Sequence, residues 1–249
     1  MTGSAVPRLN GYPMAGALWL LPVALGDTPQ EVCLPAATGE AACRLRHFVV
    51  ENARTARAEL KRIGHPVALR ELAIEQLPAT PTDADIERLL APLDAGHDLG
   101  LMSEAGCPAV ADPGALLVRR AHERGILVKP LVGPSSLLLA LMASGLDGQR
   151  FAFHGYLPAR EPERSRRIKE IEQESARLKQ TQLFIETPYR NPALFAALLQ
   201  SCRPRTWLCL ATDLTLRSEQ IATRRITDWK AAPAPALDKR PTVFLLLAD

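Results

Sequence analysis

The sequence predicts an α/β protein built from two units, each a mostly parallel or mixed sheet flanked by helices. Three observations carry that prediction. Short, continuous apolar runs alternate with amphipathic stretches up to Leu131, the pattern of strands covered on both faces. Most of these runs end in loops rich in Gly and Pro. After the connector Gly145-Leu146-Asp147-Gly148 the alternation starts again at Arg150. This places the junction near 145–150 and gives domains at 1–146 and 147–249. The composition is that of a globular chain: 249 residues, 47% apolar and 23% charged, enough to close a core without disulfides or metal.

In order, the first unit has strands at Ala17–Val23, His47–Glu51, Pro66–Leu72, His97–Ser103 and Ile126–Leu131. Helices fit between them at Asn52–Ile63, Thr82–Ala95 and Gly114–Arg124, the last after the turn signal Asp112-Pro113. Gly133-Pro134-Ser135-Ser136 opens an apolar helix running to Ser144. The second unit has strands at Phe151–Tyr156, Thr181–Thr187, Thr206–Leu210, Gln220–Thr223 and Thr242–Ala248. Its helices are the charged Glu161–Lys179 and the apolar Asn191–Gln200, and Ala231–Ala236 is a Pro-rich surface loop.

Several classes are excluded. The longest pure apolar run, Leu137–Ala143, is too short to cross a bilayer, so no membrane is expected. Arg8 followed by the apolar run Gly16–Gly26 has the outline of a signal peptide. Pro22 interrupts that run and no small-x-small cleavage site follows, so a buried first strand is the expectation. The five cysteines (33, 43, 107, 202, 209) are odd in number and form no C-x-x-C, which points to reduced thiols in the cytoplasm and to no metal site. Neither G-x-G-x-x-G nor a P-loop is present. Charge is uneven: residues 1–149 carry 13 Lys/Arg and 16 Asp/Glu, whereas residues 150–249 carry 17 and 11. The basic second half suits an acidic partner such as RNA, and equally a solvated face.

In sheets of this kind ligands sit beyond the carboxyl ends of the strands, so the loops there are the candidate sites. After the first strand stands Pro22-Val-Ala-Leu-Gly26-Asp27. After the fourth comes Ser103-Glu104-Ala105-Gly106-Cys107-Pro108-Ala109-Val110-Ala111-Asp112-Pro113-Gly114, whose small residues let backbone approach a ligand closely. Cys107 has no neighbour in sequence that would lower its pKa. After the fifth strand, Ser135 or Ser136 can cap the following helix. In the second unit Glu186-Thr-Pro-Tyr-Arg190 follows an apolar strand, and His154 reads as a satisfied structural histidine. Arg160 through Lys169 followed by Glu170, Glu172 and Glu174 reads as a solvated helix face with phosphate contact as the sharper option.

Taken together, six motifs fall in an order that resembles the tetrapyrrole methylase superfamily of S-adenosylmethionine-dependent methyltransferases. They are Pro22–Asp27, Glu51-Asn-Ala-Arg54, Ser103–Pro108 with Asp112-Pro-Gly114, Pro130–Ser136, Phe151–Pro158 and Phe184–Arg190. They are most like the branch containing the small-subunit ribosomal RNA 2′-O-ribose methyltransferase, and the likeness runs from Leu18 to Leu247. The resemblance implies a homodimeric two-domain methyltransferase with S-adenosyl-L-methionine in the cleft between domains. By position, the cofactor contacts it implies are Pro22, Ser103, Glu104, Ala105, Gly106, Val110, Ser135, Ser136, Glu186 and Ala222. For a ribose hydroxyl, which must lose its proton, Glu51, Asp112 and Glu186 are the candidate bases or orienting groups.

The chain also departs from the branch pattern. Glu104 stands where the branch has Asp, and Asn52 where it has the Asp of the E-D pair. Pro241 replaces a late Gly. Thr212 and Leu216 replace an Arg and a Lys. Two other readings stay open from sequence: methylation of a tetrapyrrole or another small molecule, and a non-catalytic cofactor-binding module.

Overall fold

The computed structural model describes residues 16–249; Arg8 lies outside the described residues. The chain divides into two compact units. One comprises residues 16–24 together with 29–134. The other comprises 25–28 and 135–249. The division precedes the apolar helix that opens at Ser136, because that helix packs against the second sheet.

The first unit is a five-stranded parallel sheet. Its strands are β1 (Leu18–Leu21), β2 (His47–Val50), β3 (Ala73–Gln76), β4 (Leu99–Met102) and β5 (Val128–Pro130), in the order β3-β2-β4-β1-β5. The connecting helices are α1 (Gln30–Cys33), α2 (Ala36–Arg44), α3 (Ala53–Arg62), α4 (Asp83–Asp94) and α5 (Ala115–Glu123). One face of the sheet packs Leu18, Val49 and Leu101 against Leu89 and Leu90 of α4 and Leu117 of α5. The other packs Leu21, Phe48 and Met102 against Ala42 of α2 and Leu60 of α3. With both faces covered, β4 is buried throughout. Local chemistry starts the helices where the sequence expects. Asn52 Oδ1 accepts from the N–H groups of Arg54 and Thr55, and Thr82 with Asp85 forms a capping box.

One expected strand is misplaced. Pro66–Leu72 does not pair; the edge strand is Ala73–Gln76, docked on β2. Val67, Leu69 and Leu72 instead cover Leu60 and its neighbours, and Pro66 has no N–H to give a ladder. Their hydrophobicity serves a loop that packs on the core. α1 and α2 lie in a stretch for which the sequence reading proposed no element.

The second unit holds a mixed sheet in the order β6-β7-β10-β8-β9. Its strands are β6 (Phe151–Tyr156), β7 (Thr181–Ile185), β8 (Trp207–Thr212), β9 (Gln220–Arg225) and β10 (Thr242–Leu247). β6 and β7 run parallel, and the other pairs are antiparallel. Helix α6 (Ser136–Ser144) covers one face through Ala140 and Leu141, which meet Leu183, Cys209 and Leu245. Helices α7 (Glu163–Leu178), α8 (Asn191–Ser201) and α9 (Ile226–Ala231) cover the other around Phe184, Phe244 and Trp229. α9 is an addition to the expected elements. Glu172, expected on a solvated face, is buried: its Oε1 accepts from the Arg203 N–H and the Thr206 hydroxyl. The outer pairs Arg164–Glu161 and Arg167–Glu170 form as expected.

Candidate functional site

Because all five strands of the first sheet are parallel, the loops after β1, β2, β4 and β5 emerge at one edge. The structure ties three of them together through main chain. Beyond β1 and β4, Val23 and Gly106 form an isolated bridge: the Val23 N–H donates to the Gly106 carbonyl at 2.8 Å, and the Gly106 N–H returns to Val23 at 2.9 Å. Beyond β2, the Glu51 N–H donates to the Met102 carbonyl at 3.1 Å, while Glu51 Oε2 accepts from the Glu104 N–H at 3.0 Å. The loop after β5 presses on the first: a Cβ added at Gly133 would lie 2.2 Å from that of Pro22. Glycine is the residue that permits this approach.

The long loop between β4 and α5 is conformationally unusual. Gly106 at φ +74° and Gly114 at +131° occupy the region glycine favours, but Ala109 at +65° and Ala111 at +64° do so as well. An alanine there is strained, and strain of this kind gathers at functional loops. Ser103 is buried; its hydroxyl donates to the Ala105 carbonyl at 3.2 Å and also reaches Asp112. Glu104, Ala105 and Val110 are exposed on the same loop.

Asp112 is the electrostatic centre of this edge. Burial pushes its carboxyl up to about 6, and the negative charge of Glu51 adds to the effect; the Ser103 hydrogen bond opposes it and Glu104 contributes least. Asp112 also borders an open pocket of about 330 Å³ walled by Leu77, Ile86 and Leu116. The nearby thiol of Cys107 is pushed up by burial, which keeps it a poor nucleophile. Among the described residues, no group of His, Cys, Asp and Glu is arranged to hold a metal.

In the second unit, Glu186 directly follows β7 and is buried, with its Oε1 accepting three donors. These are the Thr187 N–H at 2.6 Å, the Thr187 hydroxyl at 3.1 Å and Arg190 Nη2 at 2.8 Å. Pairing with Glu186 is also what raises the Arg190 pKa most. Next to it, Arg240 binds Asp213 at 2.8 Å, Gln220 at 3.0 Å and the Ser218 and Ala236 carbonyls. The sequence alone does not draw these residues together; they come from two segments, 213–220 between β8 and the start of β9 and 236–240 before β10. His154 is satisfied as expected, between Gln182 and Arg167.

The expected site residues therefore fall into separate groups. Pro22, Glu51, Ser103, Glu104, Ala105, Gly106, Val110 and Asp112 share the carboxyl edge of the first sheet. Ser135 is the N-cap residue of α6 and Ser136 its first residue, but the Ser135 hydroxyl makes no capping hydrogen bond. Glu186 belongs to the edge of the second sheet. Ala222 lies in mid-strand opposite Leu210, packed toward the face that α7, α8 and α9 cover. Its neighbour Thr223 instead donates to the Ser144 carbonyl of α6, on the opposite face.

Comparison with known proteins gives a consistent result. The family model "Tetrapyrrole (Corrin/Porphyrin) Methylases" matches residues 32–229. Curated relatives carry the name "Ribosomal RNA small subunit methyltransferase I". The one from Mesorhizobium japonicum is 31% identical over 90% of this chain and 74% of its own. Those from Xylella fastidiosa (43% identical) and Escherichia coli O157:H7 (38%) match over 43% and 54% of this chain, and over 38% and 46% of theirs. The chain thus spans only part of these relatives, about half or less in most of the matches. The crystal structure of the methyltransferase CobJ superposes with a TM-score of 0.62 over 94% of this chain and 95% of that one, at 16% identity, a likeness of fold.

Proposed function

The chain belongs to the tetrapyrrole methylase family, and on that premise we propose that it is an S-adenosylmethionine-dependent methyltransferase that methylates a ribose 2′-hydroxyl of small-subunit ribosomal RNA. The observation that carries this reading is the strand-end loop Ser103–Gly114, bridged to Val23 and set among Glu51, Glu104 and Asp112. The residues fit a cationic donor. Acidic side chains gather at an edge whose glycines and alanines leave main chain accessible, and the left-handed turns keep that main chain in place. The curated relatives' name supports ribosomal RNA as the substrate, and the basic second half fits a polyanion.

When bound, the cofactor supplies an activated methyl group. The chain supplies placement and proton handling. Asp112 is the proton acceptor: a carboxyl at about 6 is ionised at neutral pH yet basic enough to take a hydroxyl proton. Glu51 helps to hold it there by charge and, through the Glu104 N–H, fixes the loop that presents Ala105. Pro22 is pinned by Gly133, and Glu186 orients Arg190 at the edge of the second sheet. We place the protein in the cytoplasm as a homodimer. α6 supports the dimer, since its Leu138 and Met142 lie one turn apart and are 53% and 80% exposed. Among the described residues, no helix is long and apolar enough to cross a membrane.

Calorimetry with S-adenosylmethionine, followed by labelled-methyl transfer to small-subunit RNA that lacks the modification, tests the reading. One site per chain is expected, weakened by about tenfold or more in Ala105→Trp, with label appearing on ribose. No binding at millimolar cofactor would refute it.

A further inference from the structure

We infer that Tyr156 and Tyr189 form a stacking platform for unpaired RNA bases beside the target nucleotide, with Arg190 and Lys239 set to meet the adjoining phosphates. This inference rests on the RNA reading above and deepens it: Tyr156 and Tyr189 fall within two of the family motifs, but neither the resemblance nor the relatives' names give them a role.

Only 5% of the chain is aromatic and it has three tyrosines. Two of them stand at one end of one sheet. Tyr156 ends β6 opposite Ile185, and Tyr189 lies in the 3-10 turn Pro188–Arg190 that follows β7. They are 57% and 64% exposed, whereas the large aromatic groups of the core are fully covered. Tyr156 is re-aimed by a bulge: three residues of β6 after Phe153 face two of β7 after Leu183, with Gly155 at φ +64°. The Arg190 guanidinium lies 5.2 Å from the Tyr189 ring centroid. Since Glu186 clamps the guanidinium at 2.8 Å, the Tyr189 ring is presented on a fixed support. Lys239 is exposed on a left-handed turn whose N–H donates to the Pro188 carbonyl at 3.2 Å, which sets it beside the platform.

Two exposed rings next to Arg190 and Lys239 match what single-stranded nucleic acid needs: π-faces for bases and positive charge for phosphates. A protein partner would use the rings as well. The exposed Lys239 and the basic balance of residues 150–249, with 17 Lys/Arg against 11 Asp/Glu, favour RNA, and duplex RNA would hide its bases from the rings.

The test measures anisotropy of a short fluorescein-labelled single-stranded RNA with the full chain, alongside calorimetry with S-adenosylmethionine. Tyr156→Ala and Tyr189→Ala should each weaken RNA binding by about tenfold, and the tryptophan variants should keep it. Cofactor affinity should not change. Lys239→Ala should weaken binding most at low salt and reduce the salt slope by about one. Alanine variants that bind RNA as the parent does would overturn the platform and leave the methyltransferase reading standing. Variants that bind free RNA normally but lose the assembled small subunit would overturn it in favour of a protein contact. A parent that neither binds nor methylates RNA would remove the substrate reading itself, and the platform with it.

Discussion

Replacing Asp112 by Asn should make the protein more stable and less active, and pH should separate the two effects. The Asp112 carboxyl titrates near 6 in the fold against 3.8 ordinarily. Well below pH 3.8 it is protonated in both folded and unfolded chains and has no effect on stability. As pH rises toward 6, the unfolded chain releases the proton while the folded chain keeps it, so the folded state loses ground; above 6 the loss is constant. At full value the displacement corresponds to about 3 kcal/mol. Asp112 is half-buried on an open pocket, so screening by water and ions reduces this to about 1–1.5 kcal/mol. Asn keeps an acceptor for Ser103 and removes the charge. Thermal melts of cofactor-free protein should show Asp112→Asn melting roughly 2–6 °C above the parent at pH 7.5, with most of the gap gone at pH 4. Methyl transfer should fall at least tenfold, and the parent's rate should rise with pH through about 6. A variant no more stable at pH 7.5, a gap equal at both pH values, or unchanged turnover would refute the reasoning.

Two further outcomes follow from packing. Gly133→Ala should weaken S-adenosylmethionine by about tenfold in calorimetry, because the new methyl group meets Pro22 Cβ at 2.2 Å and must displace the loop after β1. Glu172→Ala should destabilise the protein by about 2–4 kcal/mol in denaturant melts, since it strands the Arg203 N–H and the Thr206 hydroxyl without an acceptor.

What the sequence made legible follows from how local each signal is. Apolar runs placed β1, β2, β4 and β5 within a few residues; the signal is clearest at β4, which is covered on both faces and apolar throughout. The same rule misplaced the edge strand: Ala73–Gln76 contains Glu75 and Gln76, while the apolar Val67–Leu72 segment packs without pairing. Loops at strand ends were legible as candidate sites because topology alone puts them there. The charge state of Asp112 was not, because it depends first on burial in the folded loop and then on Glu51, which is far away in sequence and adjacent only once β2 pairs with β4. The burial of Glu172 was hidden for the same reason: its partners Arg203 and Thr206 come from beyond α8.

The two cations missing from the family pattern can be judged against this structure. Thr212, in place of an Arg, is 3% exposed and shares a hydrogen bond with Thr242 at 3.1 Å across β8 and β10. An arginine there would need room and a counter-charge that this pairing excludes. Leu216, in place of a Lys, packs over Gly26: a Cβ at Gly26 would come within 2.8 Å of it. Beside it, the Thr28 hydroxyl donates to the Thr215 carbonyl at 3.1 Å. Both positions therefore belong to a segment that is hydrogen-bonded and packed without a cation at either place, with Asp213 and Thr215 in left-handed turns and Arg240 held by Asp213. An edge whose function had simply decayed would have no reason to keep Arg190 clamped on a buried Glu186 or Lys239 presented on a strained turn. The cations at this end of the sheet stand in the turn after β7, at Arg190, and in the turn before β10, at Lys239 and Arg240, so under the proposed RNA reading the substitutions at 212 and 216 alter the contacts offered to RNA and do not remove them.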